Sequence, residues 1–158
     1  MGELDALGVA LLQYTSGSTG DPKGVELTHA NVLANIRAAA AGCELTARDV
    51  MVSWLPLYHD MGLVGGWLMN FYHGNPTVLM SPVSFLARPE RWLEALHHYK
   101  GTISVSPNFA FDLCVRRVAP EVVARLDLSH ARALLNGSEP ILPATLDRFI
   151  AHLAPAGL

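Results

Sequence analysis

The sequence predicts an α/β fold, a mostly parallel sheet flanked by helices, and three observations predict it. Apolar runs of strand length alternate with longer segments whose apolar residues recur at helical spacing. Gly, Pro and Asn mark the changeovers. The strand candidates lead directly into polar clusters, as strands of open α/β sheets do at their ligand-facing carboxyl ends. Parallel strands require helices on both faces, so the elements would form one or two layers of a larger α/β domain.

Residues 9–12 read as a buried strand and residues 24–28 as a short second one. Thr28 can cap a helix beginning near His29, with Val32, Leu33, Ile36, Ala39 and Ala40 on its apolar side and Gly42 at its end. Asp49 precedes a strand over 50–54 that delivers Pro56 through Asp60 to a strand end. Residues 61–72 are apolar on most sides, which predicts a buried helix, and 77–80 return as a strand. Pro89 suits the first turn of a helix with Trp92, Leu93, Leu96 and Tyr99 inward, closed by Lys100 and Gly101. A strand over 102–105 runs into Ser106, Pro107 and Asn108. Helices follow over 109–117 and from Pro120 to 125. A last strand, 131–135, leads to Asn136 and Gly137, before Leu142, Leu146, Phe149, Ile150 and Leu153 repeat at helical spacing.

The chain has 158 residues, enough for about one domain with a sizeable core, and 51% of them are hydrophobic against 16% charged. That balance is more apolar than an ordinary soluble domain, and some of the surplus would face further parts of a larger protein. A net charge of -3 with no basic block argues against a nucleic-acid partner. Cys43 and Cys114 are isolated and no zinc-ligand spacing occurs, so no metal ligand is assigned. The amino terminus lacks a basic region followed by an apolar run, no apolar stretch reaches membrane length, and Ala6 breaks the myristoylation pattern. The expectation is a cytoplasmic chain without an anchor.

One segment concentrates chemistry: Tyr14-Thr15-Ser16-Gly17-Ser18-Thr19-Gly20-Asp21-Pro22-Lys23-Gly24. Its glycines let backbone N–H groups turn inward, its hydroxyls can meet phosphate oxygens, and Lys23 supplies a point charge. It reads as a phosphate-handling loop held between two strands. It is not the P-loop of nucleotide triphosphatases, because the spacing to Gly-Lys differs and Gly24 stands where a magnesium-binding hydroxyl would be. A solvated turn is the alternative.

His59, between Tyr58 and Asp60 at a strand end, is a candidate for substrate contact, or else a packed or surface histidine. Asp60 could orient it or cap the next helix, and the cap is favoured. Trp54, Trp67, Phe71, Trp92, Phe109 and Phe111 read first as core aromatics. Asn136, Gly137, Ser138, Glu139 and Pro140 form a strand-to-helix turn, while Ser106, Pro107 and Asn108 could line a crevice. No Ser-His-Asp arrangement is evident, and His97 and His98 diverge on their helix.

The segment from Tyr14 to Gly24 resembles the phosphate-binding loop of the adenylate-forming, AMP-binding superfamily. Trp54-Leu55-Pro56-Leu57-Tyr58-His59-Asp60-Met61-Gly62-Leu63 resembles its second core motif, and Asn136-Gly137-Ser138-Glu139-Pro140 the stretch that meets adenine. With Leu79-Met80-Ser81-Pro82-Val83-Ser84-Phe85-Leu86, Arg91-Trp92-Leu93-Glu94-Ala95 and Pro107-Asn108-Phe109-Ala110-Phe111-Asp112-Leu113-Cys114, the chain looks most like a fatty acyl-AMP ligase or long-chain acyl-CoA synthetase. The likeness extends over nearly all of it.

The resemblance implies a partial adenylation domain over 1–158 that joins a fatty acid to ATP, with Mg2+ arriving on the nucleotide. Thr15, Ser16, Gly17, Ser18, Thr19, Gly20 and Lys23 would hold the phosphates, Lys23 as an electrostatic and positioning group. Asn136, Gly137, Ser138, Glu139 and Pro140 would approach adenine. His59 would act near the reacting carboxylate, with Ser106, Pro107 and Asn108 beside the acyl substrate, and several of the aromatics could shape the acyl tunnel. The acyl group would pass to the phosphopantetheine thiol of an acyl carrier protein, or to CoA. The downstream aromatic-Gly-x-x-Glu motif, ribose-binding aspartate, hinge and small carboxy-terminal domain do not occur in the 158 residues. The chain is therefore expected to be inactive alone, with a separately encoded remainder of the enzyme as a candidate partner. An adenylation module for an amino or aryl acid, and a non-catalytic nucleotide-binding or assembly fragment, are the alternatives.

Overall fold

The computed structural model describes residues 5–15 and 23–158, and they divide into two compact units, 1–44 and 45–158. In the first unit β1 (Val9–Thr15) and β2 (Lys23–Thr28) pair antiparallel, with Tyr14 opposite Gly24 and Thr15 opposite Lys23. The expected buried strand is instead half open: Val9 is 53% and Leu12 54% exposed, because β1 has a single strand neighbour among the described residues. Helix α1 (His29–Gly42) starts where predicted, by a reciprocal cap. Asn31 N–H donates to Thr28 Oγ1 at 3.2 Å and Thr28 N–H to Asn31 Oδ1 at 3.0 Å. The N–H groups of His29 and Ala30 are caught by the carbonyls of Gly8 and Ala6.

The second unit is a four-stranded, all-parallel sheet in the order β4-β3-β5-β6, flanked by helices as predicted. Its strands are β3 (Met51–Ser53), β4 (Thr77–Leu79), β5 (Ile103–Ser106) and β6 (Ala133–Asn136). The chain steps from β3 outward to β4, then returns past β3 to lay down β5 and β6. The order of strands therefore reverses between β3 and β5, the place where such sheets open a crevice at their carboxyl ends.

The connection from β3 to β4 begins as a widened, π-helical segment, Met61–Leu68, and continues as α2 (Met69–His73). Glycines bring it against β3: a Cβ on Gly62 would lie 2.3 Å from the Pro56 carbonyl oxygen, and one on Gly66 2.9 Å from Ser53 Oγ. Asn70, fully buried, donates to the Gly65 and Gly66 carbonyls at 3.2 Å each. The helix is not buried on all sides as expected, since Phe71 is 72% exposed and Trp67 and Tyr72 also reach solvent in this chain. The face against the sheet is narrow and glycine-lined, which leaves the large aromatics on the other side.

A short helix that the periodicity did not predict, α3 (Pro82–Ala87), follows β4, with Ser81 extended before Pro82 in the first turn. Then come α4 (Glu90–Tyr99), α5 (Asn108–Arg117), α6 (Pro120–Val123) and α7 (Pro143–Leu153). In α4 the inward stripe is Trp92, Leu93, Ala95 and Leu96, whereas Tyr99 turns outward. Trp92 centres the core, edge-on to Phe85 and Phe111 and stacked at 6.2 Å on Phe149. Its indole N–H donates to Ser104 Oγ at 3.0 Å. Cys114 is fully buried among these residues, and desolvation pushes its thiol far above its ordinary pKa, so it is chemically inert.

At the amino end of the sheet, buried Asp49 accepts from Arg132 Nε and Nη2, both at 2.8 Å, from Thr102 Oγ1 at 2.7 Å and from the Thr46 N–H at 2.7 Å. The turn before β3, the start of β5 and the start of β6 are thereby fastened to one carboxylate.

Candidate functional site

At the opposite end lies a cleft of about 300 Å³, fed by the connections that leave all four strands. After β3 come Trp54, Leu55, Pro56, His59 and Met61; after β4, Pro82 and Leu86; after β5, Pro107 and Phe109; after β6, Ser138 and Glu139. Its lining is largely apolar, with an imidazole, a hydroxyl and a carboxylate among the lining groups. That combination suits a ligand with a greasy body and a polar end.

Trp54 is held from both sides. It stacks on Phe85 with centroids 4.0 Å apart, and its indole N–H donates to Ser106 Oγ at 2.9 Å. Phe109 meets it edge-on at 6.0 Å. Among the aromatics, then, Trp54 and Phe109 face the cleft, Trp92 and Phe111 belong to the core, and Trp67 and Phe71 pair outside it.

His59 is half exposed on the turn after β3, where its Nδ1 lies 2.8 Å from Asp60 Oδ1 and 3.2 Å from the Met61 N–H. The two contacts exclude one another chemically. Nδ1 donates to Asp60 only when protonated and accepts from Met61 only when not. A ring with its proton on Nδ1 alone would leave Nε2 as an acceptor. Asp60 Oδ1 accepts from the Met61 N–H at 2.7 Å, so the carboxylate fills the favoured capping role and also lies beside the imidazole.

The structure brings together four of the predicted site residues, His59, Pro107, Ser138 and Glu139. Ser106 and Asn108 do not line the cleft. Ser106 is fully buried under Trp54, and its carbonyl accepts from the Gly137 N–H at 3.2 Å. Asn108 is buried too, its Oδ1 accepting from Asn136 Nδ2 at 3.2 Å and the Leu142 N–H at 3.1 Å. Both set the wall rather than form it. Asn136 Oδ1 is a buried acceptor with no partner among the described residues, at the end of β6. Pro140 is exposed beyond the cleft lining. Lys23 opens β2 opposite Thr15, while Ser16, Gly17, Ser18, Thr19 and Gly20 lie outside the described residues.

Gly137 has room above it. An added Cβ would meet only Met61 Sδ, at 3.8 Å, and its backbone is in no conformation reserved for glycine. Neither packing nor strain in the protein requires a glycine there. An open glycine face on the turn before α7 fits a flat ring laid against the backbone. Pro82 and Leu86 are lining residues that the sequence reading passed over, though Ser81-Pro82 carries the signature of a helix start.

Among the described residues no cluster of three or more His, Cys, Asp or Glu is placed to hold a metal ion, and no helix is long and apolar enough to cross a membrane. The family model of the AMP-binding enzymes matches residues 3–157. The chain is 46% identical over 158 residues to the long-chain-fatty-acid–AMP ligase FadD26 of Mycobacterium marinum, covering 97% of this chain and 27% of that protein. It is 44% identical over 149 residues to the medium-chain-fatty-acid–[acyl-carrier-protein] ligase TtuA of Teredinibacter turnerae, covering 94% and 23%. The crystal structure of a fatty acyl-adenylate ligase from L. pneumophila, in complex with acyl adenylate and pyrophosphate, superposes with a TM-score of 0.95 at 41% identity, over 99% of this chain and 28% of that one. The chain thus spans about a quarter of the length of the relatives it matches. With its parallel sheet, its motifs in family order and the family model matched nearly end to end, it belongs to the AMP-binding enzyme family.

Proposed function

We propose that this chain is part of the adenylation domain of a fatty acyl-AMP ligase, carrying its phosphate loop, the acyl cleft and the turn that faces adenine. The observation that carries the reading is the cleft itself, aromatic and apolar inside, with His59, Ser138 and Glu139 in its lining at the strand-order reversal. ATP, bound with magnesium, supplies an electrophilic α-phosphorus: a carboxylate oxygen bonds to it as its bond to pyrophosphate breaks. This chain's residues position and stabilise. Trp54 and Phe109 exclude water from the acyl tail, and His59 orients the carboxylate end. Residues 15–20 and Lys23 stabilise phosphate charge, and Asn136 to Pro140 carry the base. Acyl carrier protein is the favoured acceptor over CoA, because relatives such as TtuA are named for that partner.

The test is ATP–pyrophosphate exchange, measured on the 158-residue chain alone and on the chain joined to, or mixed with, the rest of a ligase. The chain alone is expected to bind ATP weakly and turn nothing over, whereas the completed protein exchanges when given a medium- or long-chain fatty acid. A completed protein that exchanges with no carboxylic acid would overturn the proposal. One observation favours a second substrate class: the aromatic pair Trp54 and Phe109 would also receive an aryl-tailed acid, and a relative 45% identical over 152 residues is named 4-hydroxyphenylalkanoate adenylyltransferase. Competition between a fatty acid and a 4-hydroxyphenylalkanoate ranks the two.

Two substitutions probe the nucleotide side in the completed protein. Lys23→Ala removes a charge-assisted hydrogen bond to phosphate and should slow exchange roughly ten- to hundredfold. Gly137→Ala should leave the melting temperature unchanged, since its Cβ makes only an ordinary contact, yet weaken ATP binding roughly tenfold by occupying the ring's approach. Equal ATP affinity in wild type and Gly137→Ala by calorimetry would remove Gly137 from the site.

A further inference from the structure

Glu139 is exposed on the rim of the cleft, yet its carboxylate is engaged: Oε1 accepts from the Phe109 N–H at 2.6 Å. Phe109 is the second residue of α5, where amides have no acceptor within their own helix. The next amide, of Ala110, turns back to the Pro107 carbonyl, so Phe109 depends on a side chain from thirty residues downstream. A charged acceptor there makes a short, strong bond that the positive end of the helix dipole reinforces.

That bond joins two different walls. Glu139 belongs to the turn after β6 with Gly137 and Ser138, and Ser138 holds φ of 69°, an uncommon region for a residue with a side chain. Phe109 belongs to the aromatic wall, its ring edge-on to Trp54. Resting on the function proposed above, we infer that Glu139 is a positioning residue: its carboxylate locks the turn over 137–140 onto α5. One hydrogen bond then sets the acyl-facing ring and the nucleotide-facing turn together, and its loss loosens both substrates at once.

The test compares Glu139→Ala and Glu139→Gln in the ligase that contains this chain. Glu139→Ala should raise KM for the fatty acid and for ATP in parallel, each about tenfold, with kcat at saturation less affected. Glu139→Gln keeps an acceptor oxygen of the same reach and should hold the rise to about threefold. Amide hydrogen exchange in the peptide over 107–111 should accelerate in Glu139→Ala with no substrate present. A rise in KM for one substrate only, or a glutamine variant as impaired as the alanine one, overturns the inference. Should the wild-type ligase adenylate no acid, the functional reading fails separately. Exchange at 107–111 still decides for the lock, which is refuted if Glu139→Ala leaves it unchanged.

Discussion

Trp92→Ala should destabilise the unit over 45–158 by about 4 kcal/mol, the range for deleting a large buried aromatic. The side chain is fully buried and touches rings from three other helices, Phe85 of α3, Phe111 of α5 and Phe149 of α7. Those three rings pack against it from different elements and cannot all collapse into the space it leaves. Trp92→Phe separates packing from hydrogen bonding. It retains an aromatic body but forfeits the N–H that Ser104 Oγ accepts, and should cost about 1–2 kcal/mol. Urea unfolding followed by far-ultraviolet circular dichroism measures both. An alanine variant within 1 kcal/mol of wild type would mean that the aromatic cluster is not the centre of the core.

Arg132→Met should cost about 2–3 kcal/mol near neutral pH and also blunt the protein's sensitivity to acid. Breaking a buried ion pair by removing one partner typically costs about 3–5 kcal/mol, and the lower figure reflects an Arg132 side chain 37% exposed to solvent. The Arg132 guanidinium, ahead of every other influence, holds the Asp49 carboxyl well below the usual carboxylate range. Because the folded pKa is the lower one, the unfolded chain takes up a proton first as pH falls. The interaction contributes fully above about pH 4 and is lost progressively as acidification proceeds toward the depressed folded value. Removing Arg132 narrows the gap between the two states. Urea midpoints at pH 7 and pH 3 should therefore differ less in Arg132→Met than in wild type. An equal or larger difference would show that Asp49 is not the group that couples folding to pH.

The parallel sheet was legible because β3, β5 and β6 are short apolar runs that each end in a polar cluster, and the capped start of α1 was legible from Thr28 before an apolar stripe. What alternation does not disclose is which face of a doubly buried strand a side chain takes. Ser104 and Ser106 share one face of β5, and there they receive the indole protons of Trp92 and Trp54. Ser106 thus read as a crevice residue from its neighbours in sequence but braces the crevice from behind. Tyr99, the last residue of α4, is 52% exposed although the periodic pattern counts it as apolar, because its hydroxyl end tolerates water. Of the site, the motif residues His59, Ser138 and Glu139 were named by resemblance, while Glu139's partner, the Phe109 amide, is a backbone group that no side-chain pattern reveals.

The reversal of strand order has a bearing on how such a protein can change. Each of the four segments that leave the strands contributes side chains to the ligand end, so a substitution in one of them alters the mouth while the ladder of β4, β3, β5 and β6 keeps its register. The far end, cinched on Asp49, gives no comparable latitude. Ligand preference can drift by piecemeal exchange at one pole of the sheet, with inheritance of the scaffold secured at the other.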